Sequence, residues 1–360
     1  MLYYILPTIA FLLYIFIELP KQDENKKYPA LWIFALFIIS IGGFRYEIGT
    51  DWLNYSYLFE ELSYDMEPLF LFFSYIVLAV GGSFHLFVFI IFVIAFLLKI
   101  WSFEKLSKSI AISLVIYFGF WFMVYDINQI RQGFALGLIG VALYFTYKDN
   151  FKGFLIVVLL AATMHYPAII FLPFYFFRNI VIKKKYMILI VFVLFIFALF
   201  GVTNTLISYI VNISGFDVLD VLSHKVKTYN ENSHYNQNIL FSFSTFHRLF
   251  IFAITLIAIN KIPADNKLKN IFLMSAFANL SIYLLFSGNE IIAGRLSVYF
   301  RFSECFFFTY LPYCFQKTNT RYFACLLLYV YVLMQLYIVF QNPESIENLL
   351  PYKNYLFHIL

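Results

Sequence analysis

Gly42-Gly43-Phe44-Arg45-Tyr46-Glu47-Ile48-Gly49-Thr50-Asp51-Trp52-Leu53-Asn54-Tyr55 follows an apolar run at 29–44. One arginine, two carboxylates, two tyrosines and a tryptophan gather where that run ends. Aromatic residues with a polar edge collect at bilayer surfaces, so the run reads as a membrane helix and the stretch as its rim. Gly49 lies between Arg45 and Asp51 and permits a sharp turn that brings both side chains to one spot.

The rest of the chain supports that reading. Hydrophobic residues make up 62% of the sequence and charged residues only 12%. Apolar runs fall at about 2–19, 29–44, 68–80, 84–100, 110–127, 130–147, 153–177, 186–202, 246–260, 270–287, 292–315 and 322–340. Each is near or somewhat below the roughly 20 residues that a spanning helix needs. Backbone groups in lipid must be satisfied within a segment, which makes the runs helices and leaves nothing to suggest a barrel. The expected fold is therefore all-α: a polytopic helical membrane protein with about 12 hydrophobic segments, some re-entrant or broken. The 48 Phe and 29 Tyr fit lipid-facing helices and interfacial belts. With no repeat of fixed period and no soluble segment, residues 1–360 read as a single integral membrane domain. The first run lacks a basic region before it and a small-residue cleavage pattern, so it is expected to be a retained helix.

Lysines orient the chain. Short loops hold Lys21, Lys26 and Lys27; Lys99, Lys105 and Lys108; Lys148 and Lys152; Lys183, Lys184 and Lys185; Lys261, Lys267 and Lys269; and Lys317. By the positive-inside rule these loops are cytoplasmic. Loops 45–67 and 203–245 and the tail 341–360 are then extracytoplasmic. The alternation closes from Lys183 onward but fails twice upstream. Two runs stand between 45–67 and Lys99 where an odd number is needed, and one of those near 68–98 is re-entrant or lies flat. In run 153–177, Met164-His165-Tyr166-Pro167 breaks the helix, which predicts two half-helices that enter and return.

Arginines behave differently from lysines. Of seven, only Arg178 and Arg321 fall in cytoplasmic loops. Arg45, Arg131, Arg248, Arg295 and Arg301 fall at the outer side or within apolar runs, where an ionisable group is costly and functional by default. A guanidinium is planar and permanently charged, which suits phosphate or carboxylate recognition in partly dry sites. Arg301 precedes Glu304 by one turn and reads as an internal ion pair. Arg248 either snorkels to the interface or serves the site. Arg131 opens Arg131-Gln132-Gly133-Phe134-Ala135-Leu136-Gly137, whose small residues allow close packing and turn it into a bundle, with Asp126 as an alternative structural partner. Arg295 precedes Tyr299 by one turn.

His165, beside the helix-breaking Pro167, becomes a hydrogen-bond donor or proton acceptor rather than an ordinary core histidine. Asp51, Glu47 and Glu67 read as solvated loop charges, but the nearby Arg45 keeps Asp51 and Glu47 as candidate site carboxylates, with Asp51 preferred for its place after Gly49. Together these residues predict a site for a charged, lipid-linked substrate outside the cytoplasm. His224, His234 and His247 have no metal-ligand spacing, and no metal or cofactor is expected. Cys305, Cys314 and Cys325 read as packing residues, the first two on opposite faces of one helix. Nucleotide loops, nucleophile triads and Cys-x-x-Cys pairs are absent. The net charge of +5 comes from loop lysines and implies no nucleic acid partner.

Several motifs occur in order: Phe44-Arg45-Tyr46-Glu47-Ile48-Gly49-Thr50-Asp51 with Tyr55, Glu67-Pro68-Leu69-Phe70, Arg131-Gln132-Gly133-Phe134-Ala135, Ala161-Ala162-Thr163-Met164-His165-Tyr166-Pro167-Ala168, and Arg295-Leu296-Ser297-Val298-Tyr299-Phe300. With Leu350-Pro351-Tyr352-Lys353 in the tail, this ordered set resembles the EpsG family of Wzy-type polysaccharide polymerases. His165-Tyr166-Pro167 departs from it, since that family often has a small residue after the histidine.

The resemblance implies a multi-pass protein of the bacterial inner membrane with a GT-C-like architecture. It implies a glycosyltransferase that joins oligosaccharide repeat units carried on undecaprenyl pyrophosphate into O-antigen, capsule or exopolysaccharide; the arginines and the lack of a ligand cluster make it metal-independent. Asp51, His165 and Arg45 are the expected catalytic residues; Arg131, Arg295, Tyr299, Glu47, Tyr55 and Arg248 are the expected substrate-binding residues. The lipid-linked oligosaccharide is donor and acceptor, the bilayer is the medium, and a chain-length regulator and a flippase are candidate partners. The alternatives are a flippase or transporter of lipid-linked oligosaccharide, against which the lack of paired halves counts, an O-antigen ligase, and more remotely a polytopic acyltransferase.

Overall fold

The computed structural model describes residues 9, 29–62, 66–202, 239–341 and 343–358. Apart from Ile9, the first apolar run lies outside the described residues; so does loop 203–238 with His224, Lys225, Lys227 and His234. The described residues are helical, with no strand among them. In chain order the main helices are α1 (Pro29–Gly43), α2 (Trp52–Glu61), α3 (Pro68–Ala79), α4 (Phe84–Leu106), α5 (Ile110–Ile116), α6 (Ile130–Tyr147) and α7 (Phe151–Met164). They continue with α8 (Lys184–Leu199), α9 (Phe243–Ala258), α10 (Asn266–Leu285), α11 (Glu290–Arg301), α12 (Thr318–Val339) and α13 (Pro343–Leu349).

Among the described residues, four helical segments are long and apolar enough to cross a bilayer: Phe84–Leu106, Ile110–Asn128, Asn266–Leu285 and Thr318–Val339. Shorter apolar helices include Pro68–Ala79, Phe151–Met164 and Phe243–Ala258. The chain divides into two compact units, one formed by residues up to Ile169 together with Cys305 onward, the other by Ile170–Glu304.

In the first unit α6 is the central helix, packed against α4 and α7. Its sequence explains why. Apolar residues surround it on every face and glycines recur at 133, 137 and 140, so neighbouring backbones can approach closely. A Cβ on Gly133 would stand 2.5 Å from the Tyr125 carbonyl oxygen and 2.7 Å from Asp126 Oδ1. Tyr125 and Asp126 belong to a π-helical stretch, Tyr117–Asn128, that continues α5. Such wide turns displace side chains from α-helical register and recur at functional sites. The loop after α1 presses on the end of this stretch. Gly49 has φ +115°, and a Cβ there would come within 2.6 Å of the Ile127 carbonyl oxygen.

The segment after α12 folds back onto the same loop. Arg45 and Asn354 form an antiparallel bridge. The amides of Tyr46 and Gly49 donate to Lys353 and Asn348 carbonyls at 3.1 Å each, and the Tyr355 amide donates to the Phe44 carbonyl at 2.7 Å. The Tyr352 hydroxyl donates to the Ile41 carbonyl at 2.9 Å. The two segments that lysine placement put on one side of the membrane are therefore in direct contact.

In the second unit α10 packs against α8, α9 and α11. Asp265 caps α10 by accepting from the Leu268 amide at 2.8 Å, and Asn289 caps α11 by accepting from Ile292 at 3.0 Å.

Three local expectations change. Lys99 is no loop cation: α4 runs past it to Leu106, and the side chain is fully buried. Lys105 and Lys108 still mark that end as basic. Run 292–315 is not one helix, because α11 stops at Arg301 and short turns at Glu304–Phe307, Phe308–Tyr310 and Pro312–Cys314 follow. Cys305 and Cys314 are thus not two faces of one helix, and neither is in a disulfide. The break at His165, by contrast, is as expected: α7 ends at Met164 and a 3₁₀ stretch, Tyr166–Phe171, takes over.

Glycine substitutions separate backbone strain from steric conflict. Gly81 also has a left-handed φ, +71°, but nothing lies within 4 Å of its would-be Cβ. Gly81→Ala is expected to cost about 1 kcal/mol. Gly49→Ala adds a backbone clash and is expected to cost at least about 2 kcal/mol. Thermal unfolding midpoints of the detergent-purified variants check the order, and equal midpoints would contradict it.

Candidate functional site

Arg45, Glu47, Asp51, Tyr55, Arg131 and His165 all belong to the first unit, and Arg248, Arg295 and Tyr299 to the second. Arg45 is buried although it stands on a loop. Its Nη1 donates to the Gly42 carbonyl at 2.5 Å, and its guanidinium lies 5.7 Å from the centre of the Trp52 ring. Trp52 is held in turn by Phe84, with ring centres 4.9 Å apart. Glu47 is exposed and pairs with Lys353 at 3.2 Å. His85 stacks between Tyr46 and Tyr355, with ring centres 5.1 and 4.3 Å away.

One turn into α2, the polar groups converge. Arg131, the second residue of α6, forms an ion pair with Glu67 through Nη1. Its Nε donates to the Tyr55 hydroxyl at 3.4 Å, and its guanidinium lies 5.3 Å from the centre of the Tyr55 ring. Glu67 is buried just ahead of Pro68, which sits in the first turn of α3 as its missing N–H allows. Burial pushes the Tyr55 phenol above its ordinary value, while the Arg131 charge pulls it down; the charges of Asp51 and Glu67 push it up. Tyr55 is thus a neutral hydroxyl at neutral pH, and Asp51 lies within electrostatic reach of it. Tyr166, half-exposed beyond buried His165, lies within reach of Glu67. The histidine's own amide closes α7 by donating to the Ala161 carbonyl at 2.9 Å.

Arg131 keeps 23% of its side chain exposed while Glu67 keeps 5%, so the pair is anchored on one side and open on the other. A cation at a helix N-terminus opposes the helix dipole, and Glu67 supplies the compensation. The same placement offers an anion both a guanidinium and the positive end of the helix.

A separate ionic group lies deeper in this unit. Lys99 Nζ meets Asp126 Oδ1 at 2.5 Å, with both side chains almost fully buried, and the Tyr117 hydroxyl donates to Asp126 Oδ2 at 2.7 Å. Asp126 therefore serves Lys99, not Arg131.

In the second unit Arg248 does not snorkel. It is 4% exposed, its guanidinium lies 3.7 Å from the Tyr283 ring centre, and its Nη2 donates to Ser297 Oγ at 3.4 Å. Ser297 sits two residues after Arg295, which is half-buried; Tyr299 is buried. Arg301 and Glu304 pair at 3.3 Å inside the unit, as their spacing predicts.

Sequence reasoning passed over three residues of the first unit: Glu67, read as an ordinary loop charge; Lys99, read as a loop cation; and Asn128, whose Oδ1 accepts the Thr50 amide at 3.0 Å. The first two had a signal in their neighbours. Glu67 directly precedes a proline that starts a helix, and Lys99 lies within an apolar run that continues for another turn.

Fold and site define a helical membrane protein that draws its scarce charges inward and sets a half-open arginine beside buried carboxylate and phenol groups. Residues 28–354 match the EpsG family, and the chain belongs to it. That family is one of polysaccharide polymerase-type membrane proteins. No curated protein and no solved structure matches the chain.

The Lys99–Asp126 pair yields a stability test. Lys99→Met leaves a carboxylate buried without its cation and is expected to cost roughly 3–5 kcal/mol. Lys99→Met with Asp126→Asn removes both charges yet keeps an acceptor for the Tyr117 hydroxyl, and should recover most of that loss. Unfolding midpoints of single and double variants decide, and no recovery would reject the pairing.

Proposed function

We propose that the chain is a polysaccharide polymerase of the bacterial inner membrane. It joins oligosaccharide repeat units carried on undecaprenyl pyrophosphate, on the outer side of that membrane. The observation that carries this reading is Arg131: anchored to Glu67 and Tyr55, half-open, and placed at a helix N-terminus beside the loop of Arg45 and Asp51.

In the reaction an acceptor sugar hydroxyl attacks the anomeric carbon of the donor. A new glycosidic C–O bond forms as the anomeric C–O bond to phosphate breaks, and the electron pair leaves with the lipid pyrophosphate. Arg131 and Arg45 stabilise the negative charge that develops there. In the second unit, Arg248 and Arg295 are candidate substrate-binding residues in their own right. The hydroxyl proton passes to Asp51 or His165. Tyr55, held as a neutral phenol, and Glu67 keep the guanidinium of Arg131 in one orientation. Because fixed cations do this work, the reaction needs no divalent metal.

Arg→Lys changes test the planar fork while keeping the charge. Arg45→Lys, Arg131→Lys and Arg295→Lys are each expected to lose on the order of 10²–10³ in rate, about 3–4 kcal/mol. Arg178→Lys should be silent, since its guanidinium is held locally by the Tyr175 carbonyl at 2.7 Å and the Tyr175 ring. Glycan chain length, measured in cells with protein levels matched, is the readout. Normal chain length in all three variants would sink the arginine mechanism. Deletion of the gene should leave lipid-linked repeat units accumulated on the outer leaflet; accumulation on the inner leaflet would point to a flippase.

Metal independence has its own check. Elongation by the purified protein is expected to persist in excess chelator, and loss restored by magnesium or manganese would overturn it.

A further inference from the structure

Asp51 and Arg131 are far apart in sequence, and one side chain links the two backbones that carry them. Asn128 ends the π-helical stretch, three residues before Arg131, and its neighbour Gln129 turns the chain into α6 with φ −108° and ψ 63°. The Gln129 carbonyl accepts the Gly133 amide at 2.9 Å, so this turn is continuous with the first turn of α6. Across the unit, Asn128 Oδ1 accepts the amide of Thr50, the residue before Asp51, at 3.0 Å. The approach is close because Gly49 lies flat on the Ile127 carbonyl, where a Cβ would stand 2.6 Å away. Asn128 itself is buried.

We infer that Asn128 is a positioning residue for the polymerisation reaction: its carboxamide oxygen sets the turn at Asp51 relative to the start of the helix that bears Arg131. This rests on the function proposed above. Asn128 does not touch the reacting atoms. It acts by holding the Thr50 amide, and hence the carboxylate that follows it. The opposite side of the loop is held by the Asn348 and Lys353 carbonyls, which accept from Gly49 and Tyr46. Loss of the Asn128 bond therefore frees the loop on one side only. That shifts Asp51 without releasing the unit, and a displacement of about 1 Å at a reacting group costs on the order of 100-fold in rate.

The test uses the full-length protein in detergent with a synthetic polyprenyl-pyrophosphate oligosaccharide. Asn128→Leu keeps the shape and removes the acceptor; Asn128→Asp keeps an acceptor oxygen. The Leu variant is expected to lose about 100-fold in kcat with little change in KM. The Asp variant should return to within about tenfold of the parent. Hydrogen exchange supplies a readout that does not depend on turnover. Peptides covering 46–52 should exchange faster in the Leu variant, and those covering 343–355 should not. Parental kcat in the Leu variant overturns the proposal. So do equal losses in both variants accompanied by faster exchange in both peptides, which mark general loosening. If the parent itself fails to elongate, the proposed function falls, and the exchange data alone decide whether Asn128 holds the loop.

Discussion

A charge inside a bilayer must meet its partner there, and Lys99 with Asp126 is where the first unit satisfies that demand. Lys99 comes from α4 and Asp126 from the π-helical stretch, so the pair fixes one to the other. Around Asp126 the chain is built closely. Gly133 of α6 fits only because it lacks a side chain, and two residues on, Asn128 receives the loop that carries Asp51. Removing either charge leaves the other stranded in a medium that solvates neither, and the loss falls on the segment that receives the loop of Asp51.

This also explains the division of labour between the two cation types. Among the described lysines Lys99 alone is buried, paired with the Asp126 carboxylate and 5.4 Å from the centre of the Tyr117 ring. The arginines spread their charge over several groups at once: Arg131 over the Glu67 carboxylate and the Tyr55 phenol, Arg248 over a serine, a backbone carbonyl and a ring. A planar guanidinium can be held on one edge and remain available on another, which an ammonium does poorly. That property makes the half-open Arg131 suited to an anionic leaving group, and the closed Arg301–Glu304 pair suited to structure.

Membrane character and helical class were legible from apolar runs, and the helix break was legible from His165-Tyr166-Pro167, because proline acts locally. The Arg301–Glu304 pair was legible for the same reason, its members being one turn apart. The partners of Arg131 and Lys99 were not, since each pair joins residues far apart in the chain and no spacing rule reaches that far. Lys99 also misled through its type: a lysine ahead of other lysines looks like part of a loop, and only burial reveals that the helix continues past it. Asn128 carries no charge and gave no signal of its own. Its importance comes from a backbone amide across the unit, which composition cannot register.

The return of residues 343–358 to the loop after α1 has a consequence for how the protein is made. That loop leaves the ribosome well before Asn348, Lys353 and Tyr355, which emerge only after α12 has been synthesised. Until then the Tyr46 and Gly49 amides lack the carbonyls that order them, and a partial chain in the membrane carries Arg45 and Asp51 on an unfinished turn. The turn that carries Arg45 and Asp51 is thus completed only by a segment made after α12, and a chain stopped before Asn348 lacks the groups that hold it.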